Sequence, residues 1–361
     1  MSAESATATK RPEGRVRKTV LGALAGLTGF VVTALALQEL DPLRGVPDVK
    51  AQVHRARMDR AANVVFFGSS LTRRGLNPAV FDQRLAGAGI ASHAFNCGVD
   101  GMTMPEILFL VDLVLRDLSE VKCVVLEASP VRNPPPAKRH QELSPRDIYW
   151  RSGRLTWLAL RQSWQRSPAP AKAEAATRHE MLTSAVQLWF RRFVNLGRIA
   201  EFVDLTRSKA DDSPAARPSP GALALNLPSD ERGFLGVDSK ISAKDRSELP
   251  KRVGEIPMQW EKAREDTVGA EALTELARRL KARGTQLVLV HPPDVKRRPA
   301  PYPSLAGEGV MELNFMDPVR YPELYSPEHR YDSRHLNREG ATLYSDLLAR
   351  ELIPILDRGT L

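Results

Sequence analysis

The stretch that decides the fold is VVFFGSSLTRRG, residues 64–75, in which four apolar residues run directly into a glycine and two serines. A short apolar run that ends in turn-forming residues is typical of a buried strand. Similar runs recur along the chain, and we predict five strands from them. These runs are NVVFFG (63–68), ASHAFN (91–96), VKCVVLE (121–127), TQLVLV (285–290) and MELNFMD (311–317).

Helical patterns separate these strands. Thr103 and Glu106 are spaced as a capping box at the start of an apolar helix over 103–118, and 271–284 is amphipathic. A last helix is predicted over about 338–357. Strands that alternate with helices form a parallel sheet that helices cover on both faces. We therefore predict an α/β protein, a three-layer sandwich around a mostly parallel, five-stranded sheet.

The N-terminus predicts the cellular location. Residues 19–38, TVLGALAGLTGFVVTALALQ, carry no charge and are long enough for a helix to cross a bilayer. Residues 1–18 are basic, so the positive-inside rule predicts a cytoplasmic tail and a periplasmic or other extracytoplasmic remainder. We predict a single-pass protein of the inner (plasma) membrane, with a short stalk over 39–60. A cleaved signal peptide is the alternative, because ALA at 34–36 resembles a cleavage site.

Composition limits the remaining classes. The hydrophobic content of 42% and the charged content of 26% are ordinary for a globular protein. The net charge of +9 is spread along the chain without zinc-finger spacing, which argues against nucleic acid and suits an anionic lipid or polymer surface. We expect Arg73 and Arg74 to lie on a solvated helix face; the alternative is that they border an anionic substrate. Cys97 and Cys123 fall in or just after apolar runs, so we predict buried thiols rather than a disulfide.

One region breaks the alternation of strands and helices. Residues 131–256 contain the proline run of NPPPAKRH, a tryptophan-rich helical stretch, a second helical stretch and a polar segment near 207–254. We interpret this region as an insertion between the third and fourth strands, partly helical and partly loosely ordered.

Three motifs fall where the strands end, and ligands of open parallel sheets bind outside the carboxyl ends of the strands. The motifs are GSSL (68–71), NCGVDGMT (96–103) and YDSRHLNREG (331–340). A serine becomes a nucleophile when an imidazole takes its proton and a carboxylate orients that imidazole. Asp332 and His335 are three residues apart, so they can lie side by side. A serine amide that opens a helix and a glycine amide on the next strand's loop could hold an oxyanion.

GSSL, NCGVDG and DSRHLNREG, in this order, resemble the SGNH or GDSL hydrolase superfamily. Gly-Ser-Ser in place of Gly-Asp-Ser, behind a membrane anchor, is similar to the branch of DltD-like and alginate O-acetyltransferase-like envelope proteins. The resemblance covers 61–130 and 270–357 and implies an SGNH-like (flavodoxin-like) domain over 61–361. By position it implies Ser70 as nucleophile, His335 as base and Asp332 as its partner, with the amides of Ser70 and Gly101 as the oxyanion hole.

The sequence also departs from that family. Ser69 stands where the family has its Asp, and we expect it to be a neighbour of the nucleophile. LEASP (126–130) lacks the Asn with which the family's hydrolases complete the oxyanion hole. Asn133 could reach back in its place, but a polar residue before a proline run is interpreted as an ordinary loop residue. His291, which also ends a strand, is interpreted as a hydrogen-bonded histidine, and no ligand spacing indicates a metal.

The resemblance implies a function in the cell envelope. We expect O-acyl transfer, of acetyl above all, to an envelope or extracellular polysaccharide through an acyl-serine intermediate, with no cofactor. The expected partners are an acyl donor, a glycan hydroxyl and a multi-pass membrane acyltransferase. Two alternatives stay open: a carbohydrate esterase or lipase with the same triad, and a catalytically silent subunit that binds or helps to assemble polysaccharide.

Overall fold

The strands form one parallel five-stranded sheet in the order β2-β1-β3-β4-β5. This computed structural model describes residues 13–40, 43, 45–131, 145–165, 171–194, 232–297 and 299–356. The strands are β1 Val64–Phe67, β2 Ala94–Asn96, β3 Cys123–Glu127, β4 Gln286–His291 and β5 Met311–Asn314. The predicted α/β class and the five-stranded parallel sheet are confirmed.

The helices alternate with the strands over most of the described chain. Their bounds are α1 Glu13–Leu40, α2 Pro47–Met58, α3 Ser70–Gly75, α4 Pro78–Ala86, α5 Met104–Val114, α6 Pro145–Ile148, α7 Gly153–Gln165, α8 Ala171–Val194, α9 Ala243–Glu261, α10 Thr267–Lys281 and α11 Arg338–Leu356. The predicted capping box is confirmed: the Glu106 carboxylate accepts hydrogen bonds from the Thr103 N–H (2.8 Å) and hydroxyl (3.1 Å).

Successive residues of the strands point to opposite faces of the sheet, and each face carries its own apolar core. Val65 and Phe67 of β1 pack into a cluster with residues of α2, α5, α7 and α10. Val64 and Phe66 pack into a second cluster with residues of α4, α9 and α11. Because both faces are buried, the strands are apolar almost throughout, which is why short continuous runs were sufficient to predict them.

The strand order positions the site. β2 pairs with one edge of β1 and β3 with the other, so the connection after β1 runs to one side, towards β2, and the connection after β3 runs to the other side, towards β4. Such a point of divergence leaves a crevice outside the sheet, where doubly wound α/β proteins bind their ligands. The GSSL motif begins at this point, directly after β1.

The predicted stalk is wrong for residues 47–58. These residues form α2, whose Val49, Val53 and Ala56 lie in the apolar core. The side-chain amide of Gln52 is also buried and donates to the carbonyls of Asn96 and Gly233 (3.0 Å to the latter). Mixed charge and two prolines led to the stalk prediction, but Pro47 stands at the start of the helix, where its missing N–H costs nothing.

The insertion predicted over 131–256 is partly described. It contributes α6, α7, α8 and most of α9, while 132–144, 166–170 and 195–231 lie outside the described residues. Its last part is more ordered than predicted, because residues 232–237 form backbone hydrogen bonds with the body of the protein. Asn96 N–H donates to the Arg232 carbonyl (2.9 Å) and Leu235 N–H donates to the Arg73 carbonyl (2.9 Å).

Helix α1 contains the predicted anchor. Its segment Arg17–Ala36 has a mean hydropathy of 1.9 and is long and apolar enough to cross a membrane. Its direction across the membrane stays a prediction from the basic tail.

Both cysteines are free and buried, which confirms the predicted thiols. Burial raises the pKa of Cys123 to about 12 and also raises the pKa of Cys97. The thiolate is the reactive form of cysteine, so burial and the raised pKa both suppress the reaction of these thiols with other molecules.

We expect a maleimide to leave Cys97 and Cys123 unmodified in the native protein and to modify both after denaturation. Mass spectrometry of intact protein, without reductant, measures the number of adducts in each state. Rapid native labelling of either residue, or a mass two hydrogens lower, would contradict the buried thiols.

Candidate active site

The turn between β1 and α3 presents one serine and buries the other. An added Cβ at Gly68 would collide with the side chains of Thr72 and Glu127, so glycine is required where the chain leaves the strand. Ser69 is the N-cap of α3, and its Oγ accepts a hydrogen bond from the Leu71 N–H (3.3 Å). Ser70 is therefore the first residue of the helix, partly exposed at the carboxyl edge of the sheet.

Ser70, His335 and Asp332 form a continuous chain of hydrogen bonds. The Ser70 Oγ lies 2.8 Å from His335 Nε2, and His335 Nδ1 lies 2.9 Å from Asp332 Oδ2. Because a carboxylate accepts hydrogen bonds, this contact favours the proton on Nδ1 and leaves the Nε2 lone pair for the serine hydroxyl. The three residues that the motifs predicted as catalytic are thus brought together across 265 positions of sequence.

The Asp332 carboxylate, at the end of this series of hydrogen bonds, is held ionised. Burial raises the pKa of Asp332, but hydrogen bonds from the His335 ring and from the N–H groups of Arg334 (2.6 Å) and His335 (2.7 Å) outweigh it and keep the pKa well below the usual range. Asp332 is therefore available to orient the imidazole and to stabilise it when it becomes charged.

A fully buried arginine shapes the loop that carries Asp332 and His335. The guanidinium of Arg330 donates to the carbonyls of Leu324 (3.0 Å) and Pro293 (2.9 Å), with a longer contact to that of Ser333 (3.4 Å). Arg330 and Leu336 also form an antiparallel bridge that closes the loop. The three nitrogens of one rigid, planar guanidinium each bond a different carbonyl, whereas a lysine would offer a single nitrogen.

Glu127, the last residue of β3, holds the turn between β1 and α3 in place through its side chain. Its carboxylate accepts hydrogen bonds from the Ser69 N–H (2.8 Å), the Ser69 hydroxyl (2.7 Å) and the Thr72 hydroxyl (2.7 Å). Arg297, from the loop after β4, forms an ion pair with the same carboxylate. Burial raises the pKa of Glu127, but the charge of Arg297 and these hydrogen bonds outweigh it and keep the pKa below its ordinary value.

The buried charges continue to the histidine loop. Arg297 lies 3.9 Å from Asp294, and Asp294 pairs with Arg334 at 3.0 Å. Arg334 directly precedes His335 in the chain. Alternating charges therefore connect the turn that carries the nucleophile to the loop that carries the base.

The two expected oxyanion donors lie on adjacent loops. Because Ser70 opens a helix, its N–H has no acceptor within that helix. Gly101 lies on the loop after β2 with φ +73°, a conformation that favours glycine, and an added Cβ there would meet no atom within 4 Å. The neighbouring Asp100 pairs with Arg74 of α3 (2.5 Å), which joins the Gly101 loop to the serine helix.

Tyr331 and the arginines of α3 border the triad. The Tyr331 ring stacks on the His335 ring with 5.4 Å between centroids and 8° between planes, and Arg74 donates to the Tyr331 hydroxyl. A solvated helix face was the expectation for Arg73 and Arg74, and it is wrong. Arg73 is 6% exposed, and both side chains turn towards Asp100.

The structure places the other predicted residues outside the triad. The buried His291 ring bonds to Glu312 and packs edge-on against Trp260, as expected of a structural histidine. Ser69 is the neighbour that the motif predicted, with its hydroxyl engaged by Glu127. Asn133 lies outside the described residues. Within the described ranges, no group of three or more His, Cys, Asp or Glu side chains could hold a metal ion.

One residue of the sequence indicates this buried network, although no motif contains it. A glutamate that ends the buried run VKCVVLE must find hydrogen bonds and a cation, since an isolated buried carboxylate is unstable. Its partner Arg297 lies in a loop 170 residues away, without a motif that marks it. Tyr331 likewise carried no pattern beyond its position beside Asp332.

The chain matches no family model, no curated protein and no solved structure in comparisons with each.

We expect Glu127→Gln to lower the free energy of unfolding by about 3–5 kcal/mol, because it removes the closest counterion of the buried Arg297 and leaves only the more distant Asp294, at 3.9 Å. Urea denaturation of the full chain in detergent measures the change. The matched control is Glu271→Gln, which breaks the exposed pair with Arg161 and should change stability little. Equal losses for both variants would contradict the role of Glu127.

The same comparison predicts a pH dependence. Because the folded-state pKa of Glu127 is depressed, the carboxylate's contribution is present above the pKa of an unfolded glutamate and is lost as pH falls through the folded-state value. The stability difference between wild type and Glu127→Gln should therefore shrink in acid. A difference that grew with falling pH would contradict the assignment.

Proposed function

We propose that this protein is a membrane-anchored, extracytoplasmic serine acyl-ester enzyme that transfers an acyl group, acetyl above all, to a polysaccharide of the cell envelope. The observation that carries the proposal is the hydrogen-bonded chain from Ser70 through His335 to Asp332. A serine, an imidazole and an ionised carboxylate in this order are the arrangement by which unrelated folds activate a serine for acyl transfer.

The first half of the reaction forms an acyl-enzyme. His335 Nε2 takes the hydroxyl proton as Ser70 Oγ bonds to the carbonyl carbon of the donor, and Asp332 stabilises the resulting imidazolium. The amides of Ser70 and Gly101 hold the negative oxygen of the tetrahedral intermediate. When the intermediate collapses, the bond to the donor's leaving group breaks and that group receives the proton from His335.

The second half transfers the acyl group. A hydroxyl of the acceptor loses its proton to His335 and attacks the carbonyl carbon of acyl-Ser70. The ester bond to Ser70 then breaks, and His335 returns the proton to Ser70 Oγ. Water in place of the sugar hydroxyl gives hydrolysis by the same steps, so an esterase is the second candidate function.

Two features support Ser70 over Ser69 as the nucleophile. Ser69 is 3% exposed, and its hydroxyl donates to the Glu127 carboxylate, whose pKa is lowered and which already pairs with Arg297. The Ser70 hydroxyl instead faces an imidazole that can accept its proton. Burial and hydrogen-bond partners thus distinguish two adjacent residues of the same type.

The envelope location and the glycan acceptor come from other features. A span-length apolar helix and the basic tail before it support a tethered domain outside the cytoplasm. The resemblance of GSSL, NCGVDG and DSRHLNREG to envelope acyltransferases supports a polysaccharide acceptor. A multi-pass membrane acyltransferase would be a suitable source of the acyl group.

We expect Ser70→Ala to abolish covalent labelling by a serine-directed fluorophosphonate and to lower esterase turnover by about 10⁶-fold, the scale on which loss of a triad nucleophile acts. In-gel fluorescence and turnover of an activated acetyl ester are the measurements. Ser69→Ala is the matched control and should keep the label, because its hydroxyl lies outside the triad. Labelling that survives Ser70→Ala would overturn the nucleophile, and no labelling of the folded wild type would favour the silent binding subunit.

Transfer and hydrolysis differ in where the acyl group goes. With an activated acetyl ester as donor, we expect soluble glycan oligomers to accept acetyl groups and to accelerate release of the leaving group, because deacylation gains a second nucleophile. Mass spectrometry of the oligomers is the measurement, with Ser70→Ala as control. Release of acetate alone, at a rate independent of the oligomers, would make the esterase the correct function.

A further inference from the structure

We infer that helix α8, together with the exposed tryptophans of α7, lies on the lipid surface of the membrane that α1 crosses. The inference rests on the membrane anchor of the proposed function and adds a second contact between the protein and the bilayer.

The depth of α8 follows from its contact with α1. Towards the end of the span-length segment, Ala34 is 3% exposed and Val31 is partly buried, whereas Val32 and Leu35 on other sides of the helix are 60% and 50% exposed. The protein body therefore covers one side of the last turns of the span. A helix of this length that crosses a bilayer would place the end of Arg17–Ala36 close to the lipid–water boundary, so an element that packs against these turns would lie at the level of the lipid headgroups.

The surface of α8 has the chemistry of that boundary. Val186, Trp189 and Phe190 are exposed and, with Phe193, recur at intervals of three and four residues, which places them on one face of the helix. Ala185 and Leu188 are buried against the body. The exposed face of α8 is therefore more apolar than a protein surface in contact with water usually is.

Helix α7 extends this apolar face. It packs beside α8 and exposes Trp157 and Trp164, at 63% and 61%. Tryptophan is enriched at membrane interfaces, because its ring is apolar and its N–H is polar. Outside α1, the large apolar side chains that the described residues expose fall mostly on these two helices; they are Trp157, Trp164, Val186, Trp189, Phe190 and, elsewhere, Met58, Met258 and Val319.

Charge also favours lipid. A groove of about 380 Å³ separates the end of α1 from α5 and α8, and Leu35, Phe109 and Trp189 line it. Arg192 reaches over the Phe109 ring at 5.2 Å and borders the same groove. The other charged residues of the groove are Asp112, Arg116 and Arg151, so three arginines and one aspartate accompany the apolar lining. This combination fits the acyl chains and the anionic headgroup of a phospholipid.

The membrane contact has a consequence for the active site. Phe109 belongs to α5, and α5 begins three residues after Gly101 of the candidate oxyanion hole. A bilayer in contact with α8 and the groove therefore also restricts the distance between the membrane and the loop that carries Gly101.

The test uses the full chain in vesicles of phosphatidylcholine and phosphatidylglycerol, labelled with an environment-sensitive fluorophore at an introduced cysteine. We expect the label at Phe190→Cys, and equally at Val186→Cys, to show a blue shift and to be quenched by nitroxides on lipid chains. Val319→Cys, at an 84% exposed site elsewhere on the body, is the matched control and should respond to aqueous iodide alone. Leu24→Cys in α1 reports whether the chain spans the bilayer.

Each outcome decides the inference. Lipid quenching at Leu24, Phe190 and Val186 together supports it. Quenching at Leu24, with iodide quenching at Phe190 and Val186, overturns the lipid contact while the anchor stands, and no lipid quenching at Leu24 removes the anchor and the inference together. Labels on α8 that neither quencher reaches show that protein covers this face, which also overturns it. Fluorophosphonate labelling of Ser70 in the same samples tests the enzymatic proposal separately.

Discussion

Glu127 places a buried negative charge at the carboxyl end of the sheet, and the neighbouring segments supply the hydrogen bonds and the counterion that stabilise this charge. Removing a carboxylate from water costs several kcal/mol, so the fold must return that energy through partners. Ser69 and Thr72 supply hydrogen bonds from the turn after β1, and Arg297 supplies a counterion from the loop after β4. One buried charge therefore fixes three strand ends relative to one another.

This constraint determines which serine hydroxyl faces His335. The Ser69 backbone and hydroxyl are both fixed by Glu127, and the helix that Ser69 caps begins with Ser70 at the edge of the sheet. The family that the motifs resemble has an Asp where this chain has Ser69. In this protein a carboxylate reaches Ser69 from Glu127, at the end of β3. Two positions at which the sequence differs from the motifs that it resembles are thus in contact.

Much of the fold could be predicted because its signals are local. Short apolar runs between helical patterns predicted the parallel sheet, since strands buried on both faces need apolar residues at nearly every position. The order of GSSL and DSRHLNREG predicted the meeting of Ser70 with His335, because parallel strands bring their carboxyl ends to one edge. The failures have a common cause. The stalk over 39–60 and the solvated face of Arg73 were inferred from polar composition, but α2 and Arg73 are buried by residues distant in sequence.

The sequence by itself determined the strands, the span-length apolar helix and the identity of the triad residues, because periodicity, length and motif order are properties of neighbouring residues. The tertiary structure alone decided that Glu127 pairs with Arg297 and that Tyr331 stacks on His335. It also decided that α8 packs against the end of α1. The contacts of Glu127 with Arg297 and of α8 with α1 join segments that are distant in sequence, while the Tyr331 ring reaches His335 because the loop over 330–336 is closed by its own bridge. Their energies depend on burial, and burial exists only once the sheet has brought those segments together.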